Sequence, residues 1–71
     1  MRYDHGHVEF KDGNEVEFGF TMPMLPKDED ARSVLLWRSA VAQALAWANL
    51  DAETIGKRYI EDDIKNLRLA G

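Results

Sequence analysis

Between Val34 and Ala48 the chain reads VLLWRSAVAQALAWA, fifteen positions with one charged side chain, Arg38. Its apolar residues recur at helical spacing, and the periodicity predicts a long helix over residues 28–48. Val34, Trp37, Val41, Ala44, Leu45 and Ala48 form one stripe. Leu36, Ala40 and Trp47 form a second, and Leu35, Ala42 and Ala46 take a third side. Only the sector near Arg32, Ser39 and Gln43 is plainly polar. A helix that is apolar nearly all round must be covered on several sides. That demand organises the reading of the rest of the chain.

The first cover is a β-hairpin over residues 3–22. In its second arm Val16, Phe18, Phe20 and Met22 alternate with Glu15, Glu17, Gly19 and Thr21, the period-2 pattern of a sheet with one buried face. In the first arm Val8 and Phe10 share a face, and His7 and Glu9 look the other way. Asp12-Gly13 invites a two-residue turn, but that turn sets Phe10 against Glu15. A three-residue loop, Asp12-Gly13-Asn14, keeps every apolar side chain on one face, with Phe10 opposite Val16 and Glu9 opposite Glu17. Pro23 and Pro26 then stop the strand, and Asp28 or Asp30 can cap the helix, with Asp28-Glu29-Asp30 at its positive end.

The second cover must come from residues 51–69. Asn49, which tolerates a left-handed backbone, is expected to end the first helix, and Asp51 to cap another. Ile60, Ile64 and Leu67 share a helical face, so one or two short helices are expected. An extended piece at Lys57 to Ile60 is the alternative. The predicted fold is α+β, a single domain over residues 1–71 of ββαα order.

Composition narrows the function. The chain is 45% hydrophobic and 31% charged, as folded proteins are. It has no cysteine, which excludes disulfides and thiolate zinc sites and fits a cytoplasmic protein. A membrane span needs about 20 mostly apolar residues. Val34 to Leu50 is shorter and broken by Arg38, Ser39, Gln43 and Asn49, so no membrane contact is expected, and the polar N-terminus shows no leader. Net charge is −4. Residues 1–30 hold eight acids against three bases, and residues 31–71 five against six.

Three groups of residues are candidates for function. His5 and His7, two apart on a strand with Glu9 in the same row, are a possible His/carboxylate metal set. The segment VAQALAWANLDAETIGKRYI, residues 41–60, resembles a helix-turn-helix, with Asn49 where glycine is usual and Arg58 where an apolar residue is expected. The resemblance implies a DNA-binding regulator with Lys57 and Arg58 near phosphates. The third group is the surplus apolar surface of the helix at Leu35, Leu36, Ala40 and Trp47, with Ala42 and Ala46. It predicts a symmetric homodimer through the helical layer, because 71 residues bury little core alone.

The leading expectation is a non-enzymatic protein-interaction module without cofactor, an adaptor or inhibitor. It would meet another, basic protein through Glu9, Glu15 and Glu17 on the outer hairpin face or through the edge strand. Small acidic chains of this build occur among phage and bacterial accessory proteins, an analogy of size and charge.

Overall fold

The computed structural model describes residues 2–50 and 56–71. Its elements, in chain order, are β1 (His5–Phe10), β2 (Glu15–Gly19), α1 (Glu29–Ala48), a 3-10 turn (Glu61–Asp63) and β3 (Ile64–Ala70). The three strands form one antiparallel sheet in the order β2-β1-β3, so the first strand is central. The helix lies on one face of this sheet, and the fold is α+β.

The hairpin keeps the predicted parity but not the predicted register. Val8 faces Val16, Gly6 faces Phe18 and His7 faces Glu17, and the like-charge pair is Glu9 with Glu15. The loop is Lys11-Asp12-Gly13: the Phe10 N–H donates to Asn14 O at 2.8 Å and the Gly13 N–H to Phe10 O at 2.9 Å. Gly13 has φ +94°. A three-residue hairpin loop ends on a residue with positive φ, which glycine adopts without strain. The expected loop would have put Asn14 there, so the turn slides by one residue to seat Gly13.

The helix bounds agree with the periodicity. Asp28 is the N-cap: its Oδ2 accepts from the Ala31 N–H at 2.9 Å, and Glu29 and Asp30 fill the first turn. At the other end Asn49 has φ −93°, so the helix closes without a left-handed residue. The buried line differs from the expected stripe. Ala40 and Ala44 are buried on the sheet beside Val41, whereas Val34 and Trp37 are half exposed. Two alanines one turn apart let the backbone press close to the Phe10 and Phe18 rings. A tryptophan has no room under that contact and moves to the flank. Gln43, expected to face water, instead pairs with the chain beyond β2. Its Oε1 accepts from the Thr21 N–H, and its Nε2 donates to Thr21 O, both at 2.8 Å.

The C-terminal helix is corrected to a strand. Residues 51–55 lie outside the described part, so the expected cap at Asp51 falls there. Lys57–Ile60 is neither helix nor strand, and residues 64–70 are β3. Leu67 and Leu69 alternate with Asn66, Arg68 and Ala70, as a half-buried strand requires. Glu9 pairs with Asn66 but Phe10 with Ile64, so Lys65 is an extra, bulged residue. The bulge stretches the Ile64–Leu67 interval to three, the spacing that reads as helical in sequence. What selects the strand is β1, whose second edge would otherwise hold a row of unpaired N–H and C=O groups.

The core is Val8, Phe10, Phe18, Phe20, Ala40, Ala44 and Tyr59. Gly6 is part of its design. A Cβ built there would lie 2.4 Å from Cζ of Phe18, so the ring occupies the place of a side chain. Gly6→Ala is expected to destabilise the fold by about 1–3 kcal/mol through overpacking, read as a lower urea midpoint. An unchanged midpoint contradicts this packing.

Candidate functional site

Two places concentrate polar or uncovered groups: the hairpin tip and the two edges of the sheet.

At the tip, Tyr59 is buried and stacks on Phe10, with ring centroids 3.9 Å apart and planes 18° apart. Its hydroxyl donates to Asp12 Oδ2 at 2.8 Å and accepts from Asn14 Nδ2 at 2.7 Å. Its backbone is held by the Asn49 amide: the Tyr59 N–H donates to Oδ1 at 2.7 Å, and Nδ2 donates to Tyr59 O at 3.0 Å. The Lys57 ammonium bonds Asp12 Oδ2 and stands 5.1 Å from the Tyr59 ring centroid. That ammonium, the Asn14 backbone N–H and the Tyr59 hydroxyl lower the Asp12 pKa from 3.8 to about 2. The hydrogen bond to Asp12 raises that of Lys57. These groups fasten the returning chain to the turn.

The DNA-binding arrangement is not assembled in this way. Lys57, expected near phosphates, is engaged with Asp12, and Gly56 to Ile60 is not helical. Arg58 is exposed beside it, and residues 51–55 of the helix-turn-helix-like segment lie outside the described residues.

On the open face of the sheet, His5 and His7 share a row, but each sits by its own carboxylate. His5 Nδ1 is 2.6 Å from Asp4 Oδ1, and His7 Nε2 is 3.0 Å from Glu15 Oε1. Among the described residues no group of three or more His, Cys, Asp or Glu is placed to hold a metal. Glu9 lies 3.8 Å from Lys65 Nζ, and the His7 ring stands between Glu15 and Glu17. Of the three expected acidic contacts, Glu15 and Glu17 remain prominent, with side chains 59% and 88% exposed on edge strand β2. The opposite edge strand, β3, carries Lys65 and Arg68, both exposed, and is entered through the acidic turn Glu61–Asp63. The strands at the two margins therefore differ in charge, acidic along β2 and basic along β3, a contrast hidden in sequence because the spacing of Ile60, Ile64 and Leu67 predicts a helix there.

The residues expected at a dimer interface are dispersed. Ala40 is buried in the core of its own chain, and Leu36 packs against that core. Leu35 is half buried, and Trp47 is 48% exposed beside Gly19, at the β2 end. Trp37, which periodicity had assigned to the hairpin, is 50% exposed on the β3 side. There an open, mostly apolar cleft of about 280 Å³ runs between helix and strand, lined by Tyr3, Ser33, Leu36, Trp37, Ala40, Leu67 and Leu69. The helix lies chiefly over β2, and the cleft opens on the β3 side. Among the described residues no helix is long and apolar enough to cross a membrane.

No protein-family model, curated protein or solved structure matches the chain.

The tip predicts an acid limb in stability. A carboxylate with a lowered folded-state pKa stabilises the fold above the unfolded value, 3.8, and loses that contribution as pH falls toward about 2. Wild type is expected to weaken over this window, and Asp12→Asn to weaken less steeply there while starting from lower stability at pH 7. Denaturation at pH 2 to 7 measures both. Tyr59→Phe keeps the stack and loses the hydroxyl bonds, at an expected cost of about 0.5–1.5 kcal/mol.

Proposed function

We propose that the chain is a small non-enzymatic protein-interaction module, an adaptor or inhibitor, that acts as a homodimer and offers the acidic margin of its sheet to a basic partner. The observation that carries this reading is the unlike pair of sheet edges. One bears the exposed carboxylates of Glu15 and Glu17, and the other bears Lys65 and Arg68 beside an open apolar cleft. Sheet edges accept added strands through the backbone, and side-chain charge selects which strand arrives. Among the described residues, Asp12 and Lys57, whose bond lowers one pKa and raises the other, tie the hairpin tip to the returning chain. Their work is structural, which supports binding rather than chemistry as the role of this surface.

The test is a comparison of wild type with Glu15→Lys/Glu17→Lys. Wild type is expected to retain a basic protein from host extract, and the purified captured protein to bind the variant at least tenfold more weakly at low salt. The difference should shrink as salt rises. Equal affinity for both forms sets the acidic margin aside. Retention of duplex DNA with a steep loss on adding salt moves the reading to a DNA-binding regulator.

A further inference from the structure

We infer that β3 is the seam of the homodimer: two copies pair their β3 edges antiparallel about a two-fold axis at Leu67. The sheet then runs on through six strands with both helices on one face. This inference rests on the reading of the chain as a self-associating module and names the surface that does it.

Area is the first argument. The chain exposes 5264 Å², whereas a folded monomer of 8.1 kDa exposes about 4,500 Å² by the scaling of area with mass. The surplus, roughly 800 Å² summed over the whole chain, is comparable with what one partner contributes to a standard-size interface. Apolar surface at the cleft is part of it. Trp37 stands half exposed over Leu67, and Val34, one turn earlier on the same flank, is also half exposed. Among the described residues no strand lies beyond β3, so the backbone groups on its outer side face outward beside this apolar wall. A second β3 satisfies both at once: its backbone takes the edge, and the partner's Trp37 closes the cleft from the other side.

Side-chain pairing then favours one register. With Leu67 on the axis, Leu67 meets its own copy on the helix face, and Arg68 stands opposite the partner's Asn66 on the open face. Moving the axis by one residue to Arg68 sets two guanidinium groups against each other, which costs stability. The first arrangement matches apolar to apolar and leaves no like charges directly opposed at positions 66 to 68. A β2-to-β2 seam sets Glu17 and Glu15 near their own copies and is disfavoured for the same reason.

The chain has no cysteine, so one introduced thiol reports one contact. Directly opposed residues of antiparallel strands have Cβ atoms about 4.5–5.5 Å apart, near enough for a disulfide after small adjustment. Under mild oxidation Leu67→Cys is expected to give a covalent species of twice 8.1 kDa in high yield, and Leu69→Cys and Glu17→Cys at least fivefold less. Light scattering on the unmodified chain is expected to give the dimer mass. Trp37→Glu, a change outside the core, should weaken association at least tenfold while far-ultraviolet circular dichroism stays unchanged. A dimer in solution that Leu67→Cys fails to link and Trp37→Glu fails to weaken overturns the seam but keeps self-association. Preferential linking at Leu69 overturns the register. A chain that stays monomeric at every concentration up to the millimolar range overturns both, and leaves the β3 edge to a strand of another protein.

Discussion

Tyr59 sits where three parts of the chain meet. Its ring lies on Phe10 at the end of the central strand, its hydroxyl bridges Asp12 and Asn14 at the hairpin tip, and its backbone is paired by the Asn49 amide at the end of the helix. A polar group taken out of water must find partners, and here each polar atom of Tyr59 named above has one. The consequence is directional. With Tyr59 held beside Phe10, the chain leaves it through the turn at Glu61–Asp63 and arrives alongside β1. There the Lys11 N–H donates to Asp63 O at 2.8 Å and the ladder with β3 begins. Tyr59 thereby aims the returning chain along the free edge of β1, where the third strand forms.

The helix and sheet meet through a contrast of sizes. Small residues at positions 40 and 44 bring the helix down onto aromatic rings, and Gly6 makes room for the Phe18 ring on the sheet side. Close approach along one line forces bulky side chains to the flanks, which explains why both tryptophans are half exposed. Trp47 stands beside Gly19 at the β2 end, and Trp37 stands over β3. Of the helix residues expected to be surplus, Ala40 is buried, Leu35 and Leu36 are half buried, and Ala42, Ala46 and Trp47 are exposed, while Val34 and Trp37 are half exposed on the flank. A partner that covers it meets a strand edge and a helix flank together, a surface with both backbone and apolar complementarity.

Electrostatics separates the two margins without large fields. The open face carries His7 between Glu15 and Glu17, and Lys65 near Glu9, so each of these carboxylates has a polar or basic neighbour. Only at the rims does one sign prevail: acidic along β2, basic along β3. Rim charges act mainly on encounter rate and partner choice, so under the proposed function these margins would bear on which neighbour arrives more than on how tightly it is held.

Local pattern by itself determined the hairpin with its buried parity, the helix from its acidic cap to its end, and the surplus of apolar surface. Each of these depends on residues a few positions apart: Val16 with Phe18, Asp28 with Ala31, Pro26 before the helix. Two local signals misled. Asp12-Gly13-Asn14 looked like the loop, whereas positive φ at Gly13 required Lys11-Asp12-Gly13. The Ile64–Leu67 spacing looked helical, because a bulge at Lys65 adds one residue to a strand. Tertiary structure alone decided that residues 64–70 form a strand, since the unpaired edge of β1 lies more than fifty positions away in sequence and no window contains both. It also decided which helix residues are buried, because contact with a sheet depends on the size of the side chains at closest approach as well as on their angle around the axis. The contrast between an acidic and a basic margin arose only when the sheet was complete, since charge acquires a side only after strand order is set.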